Sequence, residues 1–330
     1  MLYRMNICFL FFSIISLLGC TTLTETRINH NPQTKVFIKQ MVVKHGFNQK
    51  QLELVLNKAQ YQPQIIQLMQ KPYEAKPWYL YKGTFVNDNR AKEGVKFWKE
   101  HEQVLAQVEK DYGVPASIIV AILGVETYYG KIQGNIRVLD SLSTLAFYYP
   151  PRAAFFSKEL EQFLIMSRET KRDPEKLVGS YAGAFGKTQF MPSSYRHYAV
   201  AFHHSGSSDL INNDGDVIAS IANYFKMNGW RPKEVIAIPA KINQVLHLSL
   251  TGQDMKPTKS IADWENLRIQ AIYPVSMNEK AALLMLQEKN GFDYWLGLHN
   301  FYVLSRYNPR LNYAMAVYQL SLKIQQMPKW

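Results

Sequence analysis

The order of apolar and polar positions predicts a mostly helical chain. Apolar residues recur at helical spacing from Val36 onward, and the first helix ends at Gly46. A long helix is predicted over about residues 91–112, and another from Pro115 to the glycine stop at Gly130. Further helices are predicted at about residues 157–170, 174–182, 192–203 and 214–228, and again after residue 300.

The pattern changes after Trp230. The stretches "VIAIPAKI", "VLHLSL" and "IQAIYPV" are short, β-branched or alternating, and separated by turns. "AALLMLQE" alone fits a helix or a strand, but the "KNG" and "FDYWLG" that follow favour a β-hairpin. We therefore predict a small β-rich insertion over residues 231–298.

These patterns predict a mainly α (α+β) fold. Its segments are a signal peptide (1–19), a tether (20–34), an N-terminal helical region (35–112), a helical core (113–230), the β-rich insertion (231–298) and a C-terminal helical part of the core (299–330).

Composition narrows the choice of partner. The net charge of +12 favours an anionic partner, although scattered Lys and Arg without a basic helix or zinc-ligand spacing argue against nucleic acid. The chain is rich in aromatic residues, with 20 Tyr, 17 Phe and 6 Trp. Aromatic residues that are not needed for the core often line sugar or base sites, because their flat faces stack on flat ligands. Core packing accounts for most of these rings.

The N-terminus predicts export. Arg4 precedes an apolar run that is too short for a membrane span and has the length of a signal-peptide core. "LLGC", ending at Cys20, resembles a bacterial lipobox, in which the cysteine is lipidated. The residue after it is Thr21 and not Asp, which by resemblance favours a periplasmic protein anchored to the outer membrane. An uncleaved anchor is the alternative.

Glu126 is the leading candidate for chemistry. It lies near the end of a helix in which Ile118 to Val125 carry no charged side chain. Such a helix is buried on most sides, and burial of a carboxylate raises its pKa. A protonated Glu is the group that donates a proton to the leaving oxygen in glycosidic cleavage. The alternative is a Glu that pairs with a basic residue at the helix end.

A second carboxylate is not evident from the pattern. Ordinary glycosidases use one as nucleophile or base. None of the downstream aspartates has apolar surroundings like those of Glu126: Asp140, Asp173, Asp209, Asp214 and Asp216. Asp173 is predicted to cap a helix, and the last two to lie in the first turn of one.

Four motifs together resemble the membrane-bound lytic murein transglycosylase B family. They are "ILGVETYYG", "SYAGAFGKTQFMPSSY", "IANYFKMNGW" and "NFYVLSRYN", in this order, and the similarity covers the chain from about residue 36. The resemblance implies a lysozyme-like helical core with an extra helical region and a small β domain.

The resemblance also implies a reaction without a second carboxylate. The β-1,4 bond between N-acetylmuramic acid and N-acetylglucosamine of peptidoglycan is cleaved when the muramic C6 hydroxyl attacks its own C1. The product is a 1,6-anhydro sugar. Glu126 would act first as acid and then as base, and a tethered attacking group reacts with high effective concentration.

Further site residues carry over by motif. The resemblance implies sugar binding near the catalytic acid by Ser180, Gln189, Tyr224, Tyr307, Asn308 and Tyr313, and binding of peptide or lactyl carboxylates by Arg152. Neutral amide and hydroxyl groups, tyrosine faces and a guanidinium suit these ligands. Packing in the core is the alternative for each tyrosine, and a surface role for Arg152.

The glycine-rich turn "YAGAFGKTQFMP" contains the G-K-T of a nucleotide-binding loop. That loop needs a glycine where this chain has Tyr181, so we discard a nucleotide site. We expect Gly183 and Gly186 to let the backbone approach a sugar, and Lys187 to be a surface residue.

No cofactor is predicted. Some family members have a calcium loop before the "ANYF" helix, and here the segment reads "HHSGSSDLINNDGD". Neither register of this segment matches the twelve-residue calcium pattern. A weak calcium site at Asp209, Asp214 and Asp216 is therefore not expected.

Two other functions stay open on the sequence alone. The first is a hydrolytic muramidase that uses water and one of the aspartates. The second is a peptidoglycan-binding lipoprotein without activity. Partners among other cell-wall enzymes are also left open.

Overall fold

The computed structural model describes residue 28 and residues 31–70, 76–203, 205–242 and 255–328. The predicted signal peptide, most of the tether with Cys20, and the predicted strand at "VLHLSL" lie outside these residues. Within the described ranges, no helix is long and apolar enough to cross a membrane.

Fourteen α-helices are formed by the described residues. Six precede the central helix: α1 (Pro32–His45), α2 (Gln49–Asn57), α3 (Pro63–Gln70), α4 (Trp78–Phe85), α5 (Asp88–Glu100) and α6 (Glu102–Tyr112). The next five are α7 (Ala116–Thr127), α8 (Val138–Tyr148), α9 (Ala153–Glu169), α10 (Pro192–Tyr198) and α11 (Asp214–Met227). The last three are α12 (Ile261–Asn266), α13 (His299–Ser305) and α14 (Leu311–Gln326).

Seven strands form two antiparallel sheets among the described residues. The small sheet pairs β1 (Ile136–Arg137) with β2 (Val178–Gly179). The larger sheet contains β3 (Ala237–Ile242), β4 (Lys259–Ser260), β5 (Ile269–Ala271), β6 (Lys280–Glu288) and β7 (Gly291–Gly297) in the order β4-β6-β7-β3-β5. All of its strands lie inside the predicted β-rich segment 231–298.

Helix α7 is the centre of the molecule. Its residues from Ala116 to Val125 are buried, and it contacts α5, α6, α11 and α14. The predicted buried helix before Glu126 is therefore confirmed. A helix that is apolar on every side is stable only when other elements surround it, as these four helices do.

The chain leaves the helical body at Arg231 and returns at Asn300. The Asn300 side chain accepts from the Arg231 N–H at 2.9 Å and donates to the Arg231 carbonyl at 2.7 Å. His299 contacts the Gly229 carbonyl through Nε2 at 2.8 Å. The sheet also contacts α14, where the Tyr318 hydroxyl donates to the Ala237 carbonyl at 3.0 Å.

Several predicted elements were wrong in detail. The helix expected over residues 91–112 is two helices, because His101 closes α5 and begins α6. Residues 174–182 are not helical: Asp173 accepts from the Glu175 N–H, a turn follows, and Val178 begins strand β2. The helix predicted to reach residue 203 ends at Tyr198. The ambiguous "AALLMLQE" is strand β6 of a hairpin, as favoured.

Candidate active site

Glu126 lies in the last turn of α7 and is partly exposed, whereas the residues on either side are buried. The helix ends because Tyr128 and Tyr129 adopt left-handed φ angles of 50° and 60°, followed by Gly130 at 85°. Non-glycine residues in this conformation cost about 1–3 kcal/mol each, and they persist only where the surroundings enforce them. The carboxylate is thus carried by a strained helix end.

Tyr313 holds the carboxylate directly. It lies in the first turn of α14, is buried, and donates its hydroxyl to Glu126 Oε1 at 2.5 Å. Burial, and then the charge of Glu126, raise the pKa of Tyr313 well above its ordinary value. Tyr313 therefore remains a protonated donor at any pH at which the protein works.

Two more predicted tyrosines join this pair. The ring of Tyr307 stacks on that of Tyr313, with the ring centroids 6.4 Å apart and the planes at 12°. The centroid of the Tyr224 ring lies 4.9 Å from that of Tyr307. The Tyr307 hydroxyl donates to the Thr188 carbonyl at 2.7 Å, and the Tyr224 hydroxyl to the Arg306 carbonyl at 2.5 Å. Their hydroxyl hydrogens are used within the protein, so these residues can offer a ligand ring faces, ring edges and an acceptor oxygen.

The glycine-rich turn meets the end of α7. Thr127, next to Glu126, donates its hydroxyl to the Lys187 carbonyl at 3.1 Å. Gln189 has a left-handed φ of 50°, and its amide nitrogen donates to the carbonyls of Gln133 and Gly186 at 3.0 and 2.9 Å. Both amide hydrogens are then engaged, and the amide oxygen is the atom that can accept from a ligand.

Ser180 and the glycines shape the turn itself. Ser180 Oγ accepts from the Ala184 N–H at 3.1 Å. A Cβ at Gly183 would lie 2.4 Å from Leu142, and one at Gly186 would lie 2.6 Å from the Leu210 carbonyl. The close approaches at these glycines are to the protein's own residues, and an approach of this backbone to a sugar stays a prediction.

Lys187 is not a surface residue, contrary to prediction. Its side chain is 16% exposed, and its ammonium pairs with Asp214 Oδ1 at 2.6 Å. Asp214, in the first turn of α11 as expected, also faces His101 at 3.5 Å. The Lys187 N–H donates to the Leu210 carbonyl at 2.7 Å. These contacts attach the turn to the segment before α11.

The described contacts of Arg152 and Asn308, two predicted binding residues, are with neighbouring residues of the protein. Arg152 lies in a one-turn 3-10 helix (Pro150–Arg152), is exposed, and stacks its guanidinium 4.4 Å from the Phe155 ring. Asn308 is half-buried beside Tyr307, and its carbonyl accepts from the Arg310 N–H at 2.8 Å. A sugar or carboxylate contact by either stays a prediction.

The candidate second carboxylates are engaged by protein groups. Asp140 is buried and bonded to Arg137 at 2.8 Å, and Asp173 accepts from the Glu175 N–H. Asp216 is fully buried and accepts from two backbone N–H groups at 2.8 and 2.7 Å. Asp209 accepts from the N–H groups of residues 211 and 212, and these bonds lower its pKa although burial opposes the shift.

The three aspartates of the segment that is not expected to bind calcium have partners within the protein. Asp209, Asp214 and Asp216 bond to Arg172, to Lys187 and to backbone N–H groups respectively. Across the described ranges, no group of three or more His, Cys, Asp or Glu is arranged to hold a metal ion.

Sequence reasoning missed Tyr81 and Arg90 near the site. Tyr81 is buried in α4, which packs against α14, and its ring centroid lies 4.6 Å from that of Phe85. Trp78, Tyr81 and Phe85 recur at spacings of three and four, which is the signal that could have revealed α4. Arg90 has no comparable signal.

Comparison with known proteins decides the family. The model of the transglycosylase SLT domain matches residues 29–322. The chain belongs to this family. It is 42% identical over 301 residues to membrane-bound lytic murein transglycosylase B of Escherichia coli K12, covering 88% of this chain and 82% of that relative.

Solved structures of family members have the same fold. Soluble lytic transglycosylase SltB1 from Pseudomonas aeruginosa matches with a TM-score of 0.83 and 42% identity, covering 89% of this chain and 99% of that one. SltB3 from the same organism, in complex with NAG-NAM-pentapeptide, matches with a TM-score of 0.77 and 29% identity, covering 89% and 79%. The predicted family and the mainly helical, lysozyme-like fold are confirmed.

Proposed function

We propose that this protein is a lytic transglycosylase that cleaves the β-1,4 bond between N-acetylmuramic acid and N-acetylglucosamine of peptidoglycan. The observation that carries the proposal is the single carboxylate of Glu126, held by the Tyr313 hydroxyl at the end of a buried helix. Membership of the family and a relative solved with NAG-NAM-pentapeptide support the same substrate.

The reaction needs one group that acts first as an acid and then as a base. Glu126 donates its proton to the leaving oxygen while the bond from that oxygen to C1 breaks and positive charge develops at C1. The C6 hydroxyl of the same muramic residue then attacks C1, and its proton passes to the Glu126 carboxylate. The acid is regenerated, no water is consumed, and the product is a 1,6-anhydro sugar.

The geometry suits Glu126 for both steps. Tyr313 donates to Oε1, so the proton that Glu126 carries sits on Oε2. The same hydrogen bond limits rotation of the carboxyl group. A fixed acid loses little orientational freedom when the glycosidic oxygen approaches.

A hydrolytic muramidase is the alternative among enzymes. It would need a carboxylate that activates water, and the five aspartates considered for that role bond to cations or backbone N–H groups. Digestion of purified sacculi followed by mass spectrometry separates the two reactions, because an anhydro muropeptide is lighter by one water. We expect anhydro ends, and hydrated ends as the main product would refute a transglycosylase.

The proposed location is the periplasm, with a lipid anchor in the outer membrane. It rests on the lipobox-like "LLGC" at Cys20, and on a relative whose name describes it as membrane-bound. We expect Cys20→Ser to move the protein from the membrane fraction to the soluble fraction and to abolish labelling by radioactive palmitate. A Cys20→Ser protein that remains labelled and sedimented would contradict the lipid anchor.

We also propose that activity requires no calcium. Asp209 before α11, and Asp214 and Asp216 in its first turn, already have cationic or N–H partners, and the Lys187 ammonium neutralises Asp214. We expect the melting temperature and the sacculus digestion rate to be the same in EDTA and in millimolar calcium. A rise in melting temperature that saturates with calcium would show a site, because a ligand that binds the folded state stabilises it.

A further inference from the structure

Arg90, at the start of α5, contacts the end of the catalytic helix. Its Nη1 donates a hydrogen bond to the Gly124 carbonyl in α7, two residues before Glu126. Its guanidinium carbon lies 4.7 Å from the centroid of the Tyr128 ring and 5.1 Å from that of Phe85. The last carbonyls of a helix lack partners inside the helix, so an arginine at this place satisfies one of them.

The same residue also contacts the second strained tyrosine. The Tyr129 hydroxyl donates to the Arg90 carbonyl at 2.7 Å. A Cβ on Gly94 or on Gly124 would lie 2.6 Å from that hydroxyl, so α5 and α7 leave no room around it. Arg90 therefore bonds to or stacks on three consecutive parts of the helix end: the last turn, Tyr128 and Tyr129.

Burial of the charged Arg90 side chain costs free energy. The side chain is half-buried, Nε is buried without a hydrogen-bond partner, and burial lowers the pKa of the guanidinium. Tyr129, Tyr128 and Tyr81 beside it oppose this shift. Burial of a charged group costs free energy, so such a residue usually serves function.

We propose that Arg90 is a positioning residue for Glu126, which fixes the left-handed end of α7 and thereby the direction of the catalytic carboxyl group. The inference rests on the proposed transglycosylase activity. A displacement of about 1 Å of a reacting group can lower a rate by about 100-fold. A mobile end of α7 would therefore lower the rate of the reaction.

Binding of a carboxylate of the substrate is the other role that an arginine near a glycan site suggests. The contacts do not favour it. The rings of Phe85 and Tyr128 lie beside the guanidinium, Nη1 donates to the Gly124 carbonyl, and Nε is buried. A binding role would weaken affinity for the glycan, whereas a positioning role would lower the rate and leave affinity unchanged.

The test compares Arg90→Met with Arg168→Met. Arg168 has the same two contacts at another helix end, because it stacks 4.1 Å from the Phe47 ring and donates to the His45 carbonyl at 2.9 Å. Rates are measured with soluble glycan strands, and dissociation constants in the Glu126→Gln background. We expect Arg90→Met to lower kcat about 10- to 100-fold with Kd changed less than about 3-fold. Arg168→Met should keep kcat within about 2-fold.

Three results would overturn the proposal while leaving the reaction intact. They are a wild-type kcat for Arg90→Met, an equal loss of kcat for Arg168→Met, or a Kd for Arg90→Met raised in step with the loss of kcat. If Arg90→Met does not fold, Arg90→Lys serves instead, since lysine keeps the charge and can reach a carbonyl but cannot stack a planar group. Its kcat should fall about 3- to 10-fold, and an unchanged kcat would overturn the proposal.

The proposed function and this inference fail separately. If the wild-type protein releases no anhydro product, the transglycosylase reaction is refuted whatever Arg90 does. If wild type releases anhydro product and Arg90→Met releases it at the same rate, only the role of Arg90 is refuted.

Discussion

The variant Glu126→Gln is expected to release anhydro muropeptides about 10²- to 10⁴-fold more slowly than wild type. Glutamine keeps the shape of the side chain and can still accept from the Tyr313 hydroxyl, but it has no proton to give to the leaving oxygen. Binding to sacculi should therefore persist. The measurement is the initial rate of muropeptide release by mass spectrometry, together with co-sedimentation of the variant with intact sacculi.

Glu109→Gln, in the neighbouring helix α6, is a matched control at the other end of the catalytic helix. The Glu109 carboxylate accepts from the Ala116 N–H at 2.9 Å, at the opposite end of α7 from Glu126. The control should lose about 1 kcal/mol of stability at most, because a charged cap becomes a neutral one, and keep its rate. Digestion by Glu126→Gln at the wild-type rate would remove Glu126 from the role of acid.

Tyr313→Phe is expected to lower kcat about 10- to 100-fold. Its hydroxyl donates to a carboxylate, and a hydrogen bond to a charged group contributes about 1.5–3 kcal/mol. If that bond orients the carboxyl group in the transition state, its loss appears in kcat at about 1.4 kcal/mol for each tenfold change. The KM for soluble glycan strands should change little, because the ring and its stacking on Tyr307 remain.

Tyr318→Phe provides the comparison for Tyr313→Phe. Tyr318 is a buried tyrosine of the same helix, and its hydroxyl donates to the Ala237 carbonyl in the sheet. Its loss leaves a buried acceptor without a partner, at a cost of about 1–3 kcal/mol of stability, with no effect on the carboxyl group. Equal kcat values for Tyr313→Phe and Tyr318→Phe would show that the hydroxyl at Tyr313 does not act through Glu126.

The catalytic end of the molecule could be predicted largely because its signals are local. A carboxylate at the end of an unbroken apolar run identifies Glu126 without knowledge of the fold. The motif order then identified the tyrosines, and the structure brings Tyr224, Tyr307 and Tyr313 together beside it. Their roles in sugar binding, like those of Ser180 and Gln189, remain predictions.

What could not be predicted depends on contacts between distant segments. The pairing of Lys187 with Asp214 joins positions 27 apart, and the bond of Arg90 to Gly124 joins positions 34 apart. No periodicity marks either pair. The same limit applies to Gly183, since the Leu142 side chain that excludes a Cβ there belongs to a helix that the pattern did not reveal.

The wrong prediction of a helix over residues 174–182 also has a physical cause. Residues 174–182 contain a proline and good helix formers, yet a Cβ on Gly179 would lie 2.2 Å from the Ala184 carbonyl, so the backbone there must stay extended and close to the turn. Tertiary contact overrode local propensity.

The hydrogen bond between Glu126 and Tyr313 joins positions 187 residues apart, with the whole larger sheet between them in the chain. The acid is therefore synthesised long before the residue that holds it. A chain that is stalled or cut before α13 contains Glu126 but neither Tyr307 nor Tyr313. An incomplete copy of this chain would thus contain the acid without the hydroxyl that holds it.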